Sequence, residues 1–263
     1  MNPEPIIKIR DLHTSYSGRQ ILKGINLDIY PFETLVILGR SGCGKSTLLR
    51  HIVGLNKPDS GEIDVSGTNI VTATEAERNI VLKKMGMLFQ NGALFNSMTI
   101  GDNVALPLRE HTPQQPSTIK IMTRMKLGLV GLGGFESFTP AQLSGGMRKR
   151  AALARAIAMD PQILLCDEPS AGLDPIVAVG IDHLILKLKS ALRMTIVIVT
   201  HEMESVRVIA DRIALLHEGQ VRFLGTLDEM ETFDDPYVKQ FLERRPDEER
   251  LDADQYLDEL MGE

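Results

Sequence analysis

The stretch Thr34-Leu35-Val36-Ile37-Leu38-Gly39-Arg40-Ser41-Gly42-Cys43-Gly44-Lys45-Ser46-Thr47-Leu48-Leu49 decides the reading of this chain. Thr34–Leu38 is a short apolar run of strand length that stops at Gly39. Helical spacing begins at Lys45 and ends at Gly54. Between them, Gly39–Ser46 fits the pattern G-x-x-x-x-G-K-[ST] in the strand–turn–helix setting it requires. Glycines there let backbone N–H groups turn inward around phosphate oxygens, and the helix adds its positive N-terminal end. Lys45 is expected to reach the β- and γ-phosphates, and the Ser46 hydroxyl to bind Mg²⁺. Cys43 sits between Gly42 and Gly44, a thiol inside the loop. The chemistry expected is binding and hydrolysis of ATP.

The flanking sequence gives that loop an α/β setting. Ile7, Ile9 and Leu12, then Ile21, Ile25, Leu27 and Ile29, alternate with polar residues as strands do, with Ser17-Gly18 as a turn. Asn56–Gly61 reads as a turn, Glu62–Ile70 as a small strand region and Met85–Gln90 as another strand. Ile163–Cys166 and Thr195–Val199 are compact apolar runs separated by the helical Ile176–Leu192. That βαβ pattern implies a parallel sheet. Ile213–His217 and Gln220–Leu224, joined by Glu218-Gly219, read as a hairpin.

From Asn91 to Met159 the texture changes. Pro113 and Pro116 mark a polar loop, Ile119–Leu129 is helical, Gly131, Gly133 and Gly134 break the chain, and Ser144–Met159 reads as a second long helix. The expected division is a core at about 1–90 and 160–242, a helical subdomain at about 91–159 and a tail at 243–263. In the tail, Tyr256, Leu257, Leu260 and Met261 have the spacing of one apolar helix face, a possible docking segment for a partner.

Composition narrows the classes. The 263 residues are 43% apolar and 24% charged, ordinary for a globular chain. The net charge of -6 argues against a sequence-independent nucleic-acid binder, so no nucleic-acid partner is expected. Two cysteines, Cys43 and Cys166, make no disulfide framework and suit a reducing compartment. Met1–Lys8 lacks the apolar run of a signal peptide, and no stretch approaches the roughly 18 apolar residues needed to cross a bilayer. Any membrane role is therefore expected to need a partner chain.

Two further segments carry chemistry. Ile163-Leu164-Leu165-Cys166-Asp167-Glu168 is an apolar strand ending in two acids. Asp167 can hold Mg²⁺ through water, and Glu168 can accept a proton from an attacking water. Leu143-Ser144-Gly145-Gly146-Met147 opens a helix; Ser144 is a good N-cap, and the two glycines beside it make a second anion site in the same chain.

A phosphate loop, Gln90 at a strand end, Leu-Ser-Gly-Gly, Asp-Glu and then His201, in that order, resembles the nucleotide-binding subunit of ABC transporters over about Ile7–Leu242. The resemblance implies a P-loop (RecA-like), mostly parallel sheet, an antiparallel N-terminal subdomain and an inserted helical subdomain. It gives Gly39, Arg40, Ser41, Gly42, Cys43, Gly44, Lys45, Ser46 and Thr47 to ATP, with Tyr16 stacking on adenine. Gln90 would sense Mg²⁺ and the attacking water, Asp174 would belong to a loop crossing between subunits, and His201 would contact the γ-phosphate. Ser144, Gly145 and Gly146 would cover the ATP of a second copy in an ATP-sandwich homodimer. Met147 departs from the family pattern, where Gln is usual.

Asn91-Gly92-Ala93-Leu94-Phe95, Pro107-Leu108-Arg109-Glu110-His111-Thr112 and the run from Leu143 to Ala156 are similar to the branch serving Mla/Mce-type phospholipid transport. That branch implies integral membrane permease subunits, a Mce-domain lipid-binding protein, a small accessory cytoplasmic subunit and a place on the cytoplasmic face of the inner membrane. The rival readings each lack a feature. Chromosome and DNA-repair ATPases with this head carry long coiled-coil insertions, and the segment between Ser46 and Ser144 has no room for one. Translation factors of this type carry two sets of motifs in one chain, and a small-molecule kinase needs no Ser144–Gly146. The ATPase of a small-solute importer is the nearest competitor.

Overall fold

The computed structural model describes residues 4–243 and Arg245. The apolar tail face read at Tyr256, Leu257, Leu260 and Met261 lies outside the described residues. The chain opens with a hairpin, β1 (Ile7–Tyr16) and β2 (Arg19–Ile29), and then β3 (Thr34–Leu38) leads into α1 (Lys45–Ile52). Next come β4 (Ser60–Val65), β5 (Thr68–Asn69), α2 (Glu75–Leu82) and β6 (Met85–Leu88). Three helices follow without an intervening strand: α3 (Ile100–His111), α4 (Pro116–Leu129) and α5 (Gly145–Ala156). The chain returns as β7 (Ile163–Asp167), α6 (Pro175–Leu192), β8 (Thr195–Thr200) and α7 (Met203–Ile209). It continues through β9 (Arg212–His217), β10 (Gln220–Gly225), α8 (Leu227–Thr232) and α9 (Pro236–Leu242).

Two sheets form. One is antiparallel, in the order β2-β1-β4-β5; the other has the order β10-β9-β3-β8-β7-β6. In the larger sheet β9, β3, β8, β7 and β6 run parallel, and β10 pairs antiparallel with β9 as the expected hairpin. The central strands β3, β7 and β8 are buried at every position, as strands covered on both faces must be.

Strand alternation then splits the core in two. Val36, Leu38, Leu164, Cys166, Ile196 and Ile198 face a core shared with α3, α5, α6 and α7. Their neighbours Leu35, Ile37, Ile163, Leu165, Val197 and Val199 face the other core, with α1 and the antiparallel strands. The molecule is thus three layers, with the parallel sheet in the middle. Each large apolar side chain so buried contributes about 1.5–3 kcal/mol, so the middle layer is the most firmly fixed part.

Several boundaries differ from the sequence expectation. The strand read over Glu62–Ile70 is two short strands, because Ser66 and Gly67 both take positive φ and turn the chain. Pro116 does not belong to a loop but starts α4, where a missing N–H costs nothing. The helix read to Met159 stops at Ala156. The strand read to Gln90 ends at Leu88, leaving Gln90 in a turn.

Candidate functional site

Parallel register brings the chemistry-bearing residues to one edge. Leu38 pairs with Thr200, Asp167 with Val199 and Leu88 with Cys166. Gly39, Glu168, His201 and Gln90 therefore all leave the sheet at its C-terminal edge, where open α/β sheets bind ligands.

The loop between β3 and α1 needs its glycines. Gly39, Gly42 and Gly44 have φ of 153°, 81° and 108°. A Cβ at Gly39 would lie 2.5 Å from the Leu216 carbonyl oxygen, whereas one at Gly42 would meet nothing within 4 Å. Gly44 is the N-cap of α1 and offers no side-chain acceptor to the helix's first amides. Those amides and the bare backbone at Gly42 are what a phosphate requires. Ser41 is exposed, while Arg40, Cys43 and Thr47 are half-buried. Burial pushes the Cys43 thiol above its ordinary range, opposed in part by the Lys45 charge.

Lys45 is only 6% exposed, and its ammonium donates to the carbonyls of Gly39 (2.7 Å) and Arg40 (2.9 Å). It lies folded along the loop. The Ser46 hydroxyl donates to Asp167 Oδ1 at 2.9 Å, joining the start of α1 to the end of β7. That pairing sets two hard oxygen ligands side by side. Among the described residues no group of three or more His, Cys, Asp or Glu side chains gathers as a metal cage. One hydroxyl and one carboxylate are instead the sparse protein set that Mg²⁺ takes when substrate phosphates and water complete its shell.

Glu168 is buried, with a positive φ of 49°. Its amide donates to the Val199 carbonyl at 2.9 Å, and its Oε1 accepts from His201 Nδ1 at 2.9 Å. Its second oxygen, Oε2, is buried and has no hydrogen-bond partner among the described residues. With Glu168 as the carboxylate, the bond is donated by His201 Nδ1, which leaves Nε2 for another contact. An unsatisfied carboxylate oxygen costs about 1–3 kcal/mol, the kind of arrangement that persists at sites prepared for a ligand. Sequence reasoning gave Glu168 and His201 separate roles; the fold pairs them.

Other expected participants have different surroundings. Ser144 caps α5, its hydroxyl accepting from the Met147 amide at 3.3 Å. Gly146 is needed for packing, since a Cβ would lie 2.6 Å from Val177 Cγ1. Met147, the departure from the family pattern, packs against the core on the helical side of the sheet. Asp174 caps α6 by accepting from the Val177 amide at 3.0 Å. Tyr16 ends β1, is 46% exposed, and its hydroxyl accepts from Asn56 at 2.5 Å. Gln90 is exposed, and its carbonyl accepts from the Lys149 ammonium.

A cavity of about 880 Å³ opens beside the site, lined in part by Arg40, Ser41, Leu173, Asp182 and His201. Neither Lys45 nor Asp167 lines it. The loop meets this cavity through Arg40 and Ser41.

Sequence reasoning missed Lys149 and Arg155, whose side chains hold the turn after β6. Lys149 donates to the Gln90 and Glu168 carbonyls, and Arg155 to Gly92 and Ala93, both at 2.8 Å. The available signal was their position on the helix: Lys149 shares a face with the apolar Ala152 and Leu153.

The comparisons fit this geometry. The family model described as ABC transporter matches residues 22–171. The ATP-binding protein MlaF of the intermembrane phospholipid transport system of Escherichia coli K12 is 42% identical over 238 residues, covering 90% of this chain and 88% of that protein. A probable ribonucleotide transport ATP-binding protein, mkl of Mycobacterium leprae, is 43% identical over 239 residues, covering 91% of this chain and 69% of that one. Among solved structures, a dimer of the ATP-binding cassette MJ0796 in a post-hydrolysis state with ADP and Pi has a TM-score of 0.77 and 32% identity. That match covers 84% of this chain and 98% of the other. With the loop, the paired Ser46 and Asp167, and Glu168 all at one sheet edge, the chain belongs to the ABC transporter family and is one of its ATPases.

Proposed function

We propose that this chain is the ATP-hydrolysing subunit of a membrane transporter that moves phospholipid between inner and outer membranes. The observation that carries the chemistry is the adjacency of two bonded pairs, Ser46–Asp167 and Glu168–His201, at the mouth of the phosphate loop. In this reading the loop amides from Gly39 to Thr47 and the Lys45 ammonium hold the ATP phosphates and stabilise charge that develops on them. Lys45 exchanges the carbonyls of Gly39 and Arg40 for phosphate oxygens. Ser46, Asp167 and Gln90 would hold Mg²⁺, which when bound neutralises phosphate charge. Glu168 accepts a proton from the attacking water, with Oε2 as the free acceptor and His201 fixing Oε1. Tyr16 supports the adenine.

The sites are completed by a second copy. MJ0796 is a dimer in the related structure, and here Ser144, Gly145 and Gly146 form the capped start of α5. Two ATPs then join two copies, and hydrolysis releases them. Residues about 91–159 act as the helical subdomain on the core of about 1–90 and 160–242. Among the described residues no helix is long and apolar enough to cross a membrane, so the work passes to permease chains. A groove of about 760 Å³ lined in part by Phe89, Ala93, Phe95, Pro107 and His111 supports docking them beside the Gln90 turn. In this reading the chain works on the cytoplasmic face of the inner membrane, with a Mce-domain lipid-binding protein and a small accessory subunit in the complex.

The phospholipid cargo rests on the MlaF likeness, which spans nearly the full length of both proteins. The mkl likeness, whose name points to ribonucleotides, leaves about a third of that protein unmatched. Isolation of the complex from membranes tests the cargo. Recovery of a permease, a Mce-domain protein and bound phospholipid is expected. Recovery of a solute permease without phospholipid overturns it.

A further inference from the structure

Gln90 and Glu168 lie just beyond the ends of the neighbouring strands β6 and β7. β6 and β7 pair in parallel from Met85↔Ile163 to Leu88↔Cys166. Continued past the strand ends, that register sets Gln90 opposite Glu168, where the ladder has stopped. The junction is bridged by one side chain. The Lys149 ammonium donates to the Gln90 carbonyl and, at 3.0 Å, to the Glu168 carbonyl.

Lys149 is an expensive residue for this task. It is 8% exposed, and among the described residues it makes no ion pair closer than the carbonyl contacts. Burial pushes its ammonium below the ordinary lysine range, resisted by the nearby acids, Glu168 and Asp167 among them. A buried cation is retained only where its hydrogen bonds matter. They matter here because Glu168 holds a positive φ of 49°, a conformation a non-glycine residue keeps only when its surroundings enforce it. The Glu168 amide is fixed by Val199 in β8, and its carbonyl by Lys149.

The same helix grips the rest of the turn. Arg155 donates to the Gly92 and Ala93 carbonyls. Asn103 in α3, fully buried, accepts from the Phe95 amide at 2.8 Å and donates to its carbonyl at 3.1 Å. The turn after β6 is therefore held from helices α3 and α5, and Lys149 is where that grip also reaches Glu168.

We infer that Lys149 is a positioning residue for hydrolysis: it locks the backbone of Glu168 and ties it to the Gln90 turn and to α5. The inference rests on the reading of Glu168 as the base. ATP binding should then be indifferent to Lys149 and turnover should not, because among the described residues its hydrogen bonds go to the Gln90 and Glu168 carbonyls and none to the phosphate loop.

The test is steady-state hydrolysis by the full-length chain carrying Lys149→Met, which keeps the length and loses the donor. Expected is a fall in kcat of about 10- to 100-fold, the scale of small displacements of a catalytic group. KM for ATP should stay within about twofold of wild type, and Lys149→Arg, which restores a cationic donor, should recover much of the loss. A kcat unchanged in Lys149→Met, or a loss that Lys149→Arg does not relieve at all, overturns the inference. Should Lys149→Met fail to fold, Lys149→Leu, which also lacks a donor, is read by the same criteria. Glu168→Gln is run beside them. If that variant turns over like wild type, the reading of Glu168 fails; if it is inactive while Lys149→Met is normal, only the role of Lys149 fails.

Discussion

The phosphate-loop half of the site and the segment Ser144–Gly146 are built on opposite plans. Lys45, Asp167 and Glu168 are all buried and tied to neighbours by hydrogen bonds at the sheet edge. Ser144 is exposed, and its hydroxyl accepts from the Met147 amide in the first turn of its own helix at 3.3 Å. Rigid packing beneath it, with Val177 against Gly146, fixes where the segment points. One half thus has its chemistry assembled within the chain, and the other is a capped helix start whose Ser144 faces solvent. That difference is what a composite site between two copies requires.

The comparison is broken most severely at Ser144. Ser144→Arg places a bulky cation on the exposed segment and leaves the loop alone. Expected is loss of hydrolysis by about 100-fold or more while ATP affinity of the single chain stays within about threefold. Nucleotide binding by calorimetry beside phosphate release measures both. Equal loss of binding and turnover would mean that Ser144 serves the ATP of its own chain.

Cys43 sharpens the other side. A raised thiol pKa means less thiolate at neutral pH, so alkylation should be slow at pH 7 and accelerate as pH rises above the ordinary thiol range. Bound ATP should protect it, and the modified chain should lose ATP binding. Cys166 is fully buried, and burial raises its thiol further, so it should stay unlabelled in the folded chain. Mass spectrometry of the labelled peptides follows both sites. Tyr16 gives the smallest effect. Tyr16→Ala removes a stacking face worth about 0.5–1.5 kcal/mol, so ATP affinity should fall up to about tenfold with kcat nearly unchanged.

Much of this was legible in the sequence because it is local. The turn at Gly39–Ser46 and the acids ending β7 are contiguous runs whose neighbours force strand and helix around them. The buried strands read as apolar runs for the same reason. The short helices α2, α7, α8 and α9 did not, since six to eight residues carry too few turns to show a period. The Glu168–His201 pair spans 33 positions, and Lys149 reaches Gln90 across 59. Such contacts follow from strand register and helix packing, which no local pattern encodes. Nothing in the sequence therefore singles Lys149 out within the helix read over Ser144–Met159, although it lies on that helix's buried face.

The central claim is that each ATP is held between the phosphate loop of one copy and Ser144–Gly146 of another. It is tested most directly by the mass in solution of the full-length Glu168→Gln chain, by light scattering with and without ATP and Mg²⁺. Blocked hydrolysis with intact binding should trap the closed pair, so the account predicts twice the single-chain mass with ATP and Mg²⁺ and the single-chain mass without them. Glu168→Gln that binds ATP yet keeps the mass of one chain would contradict it.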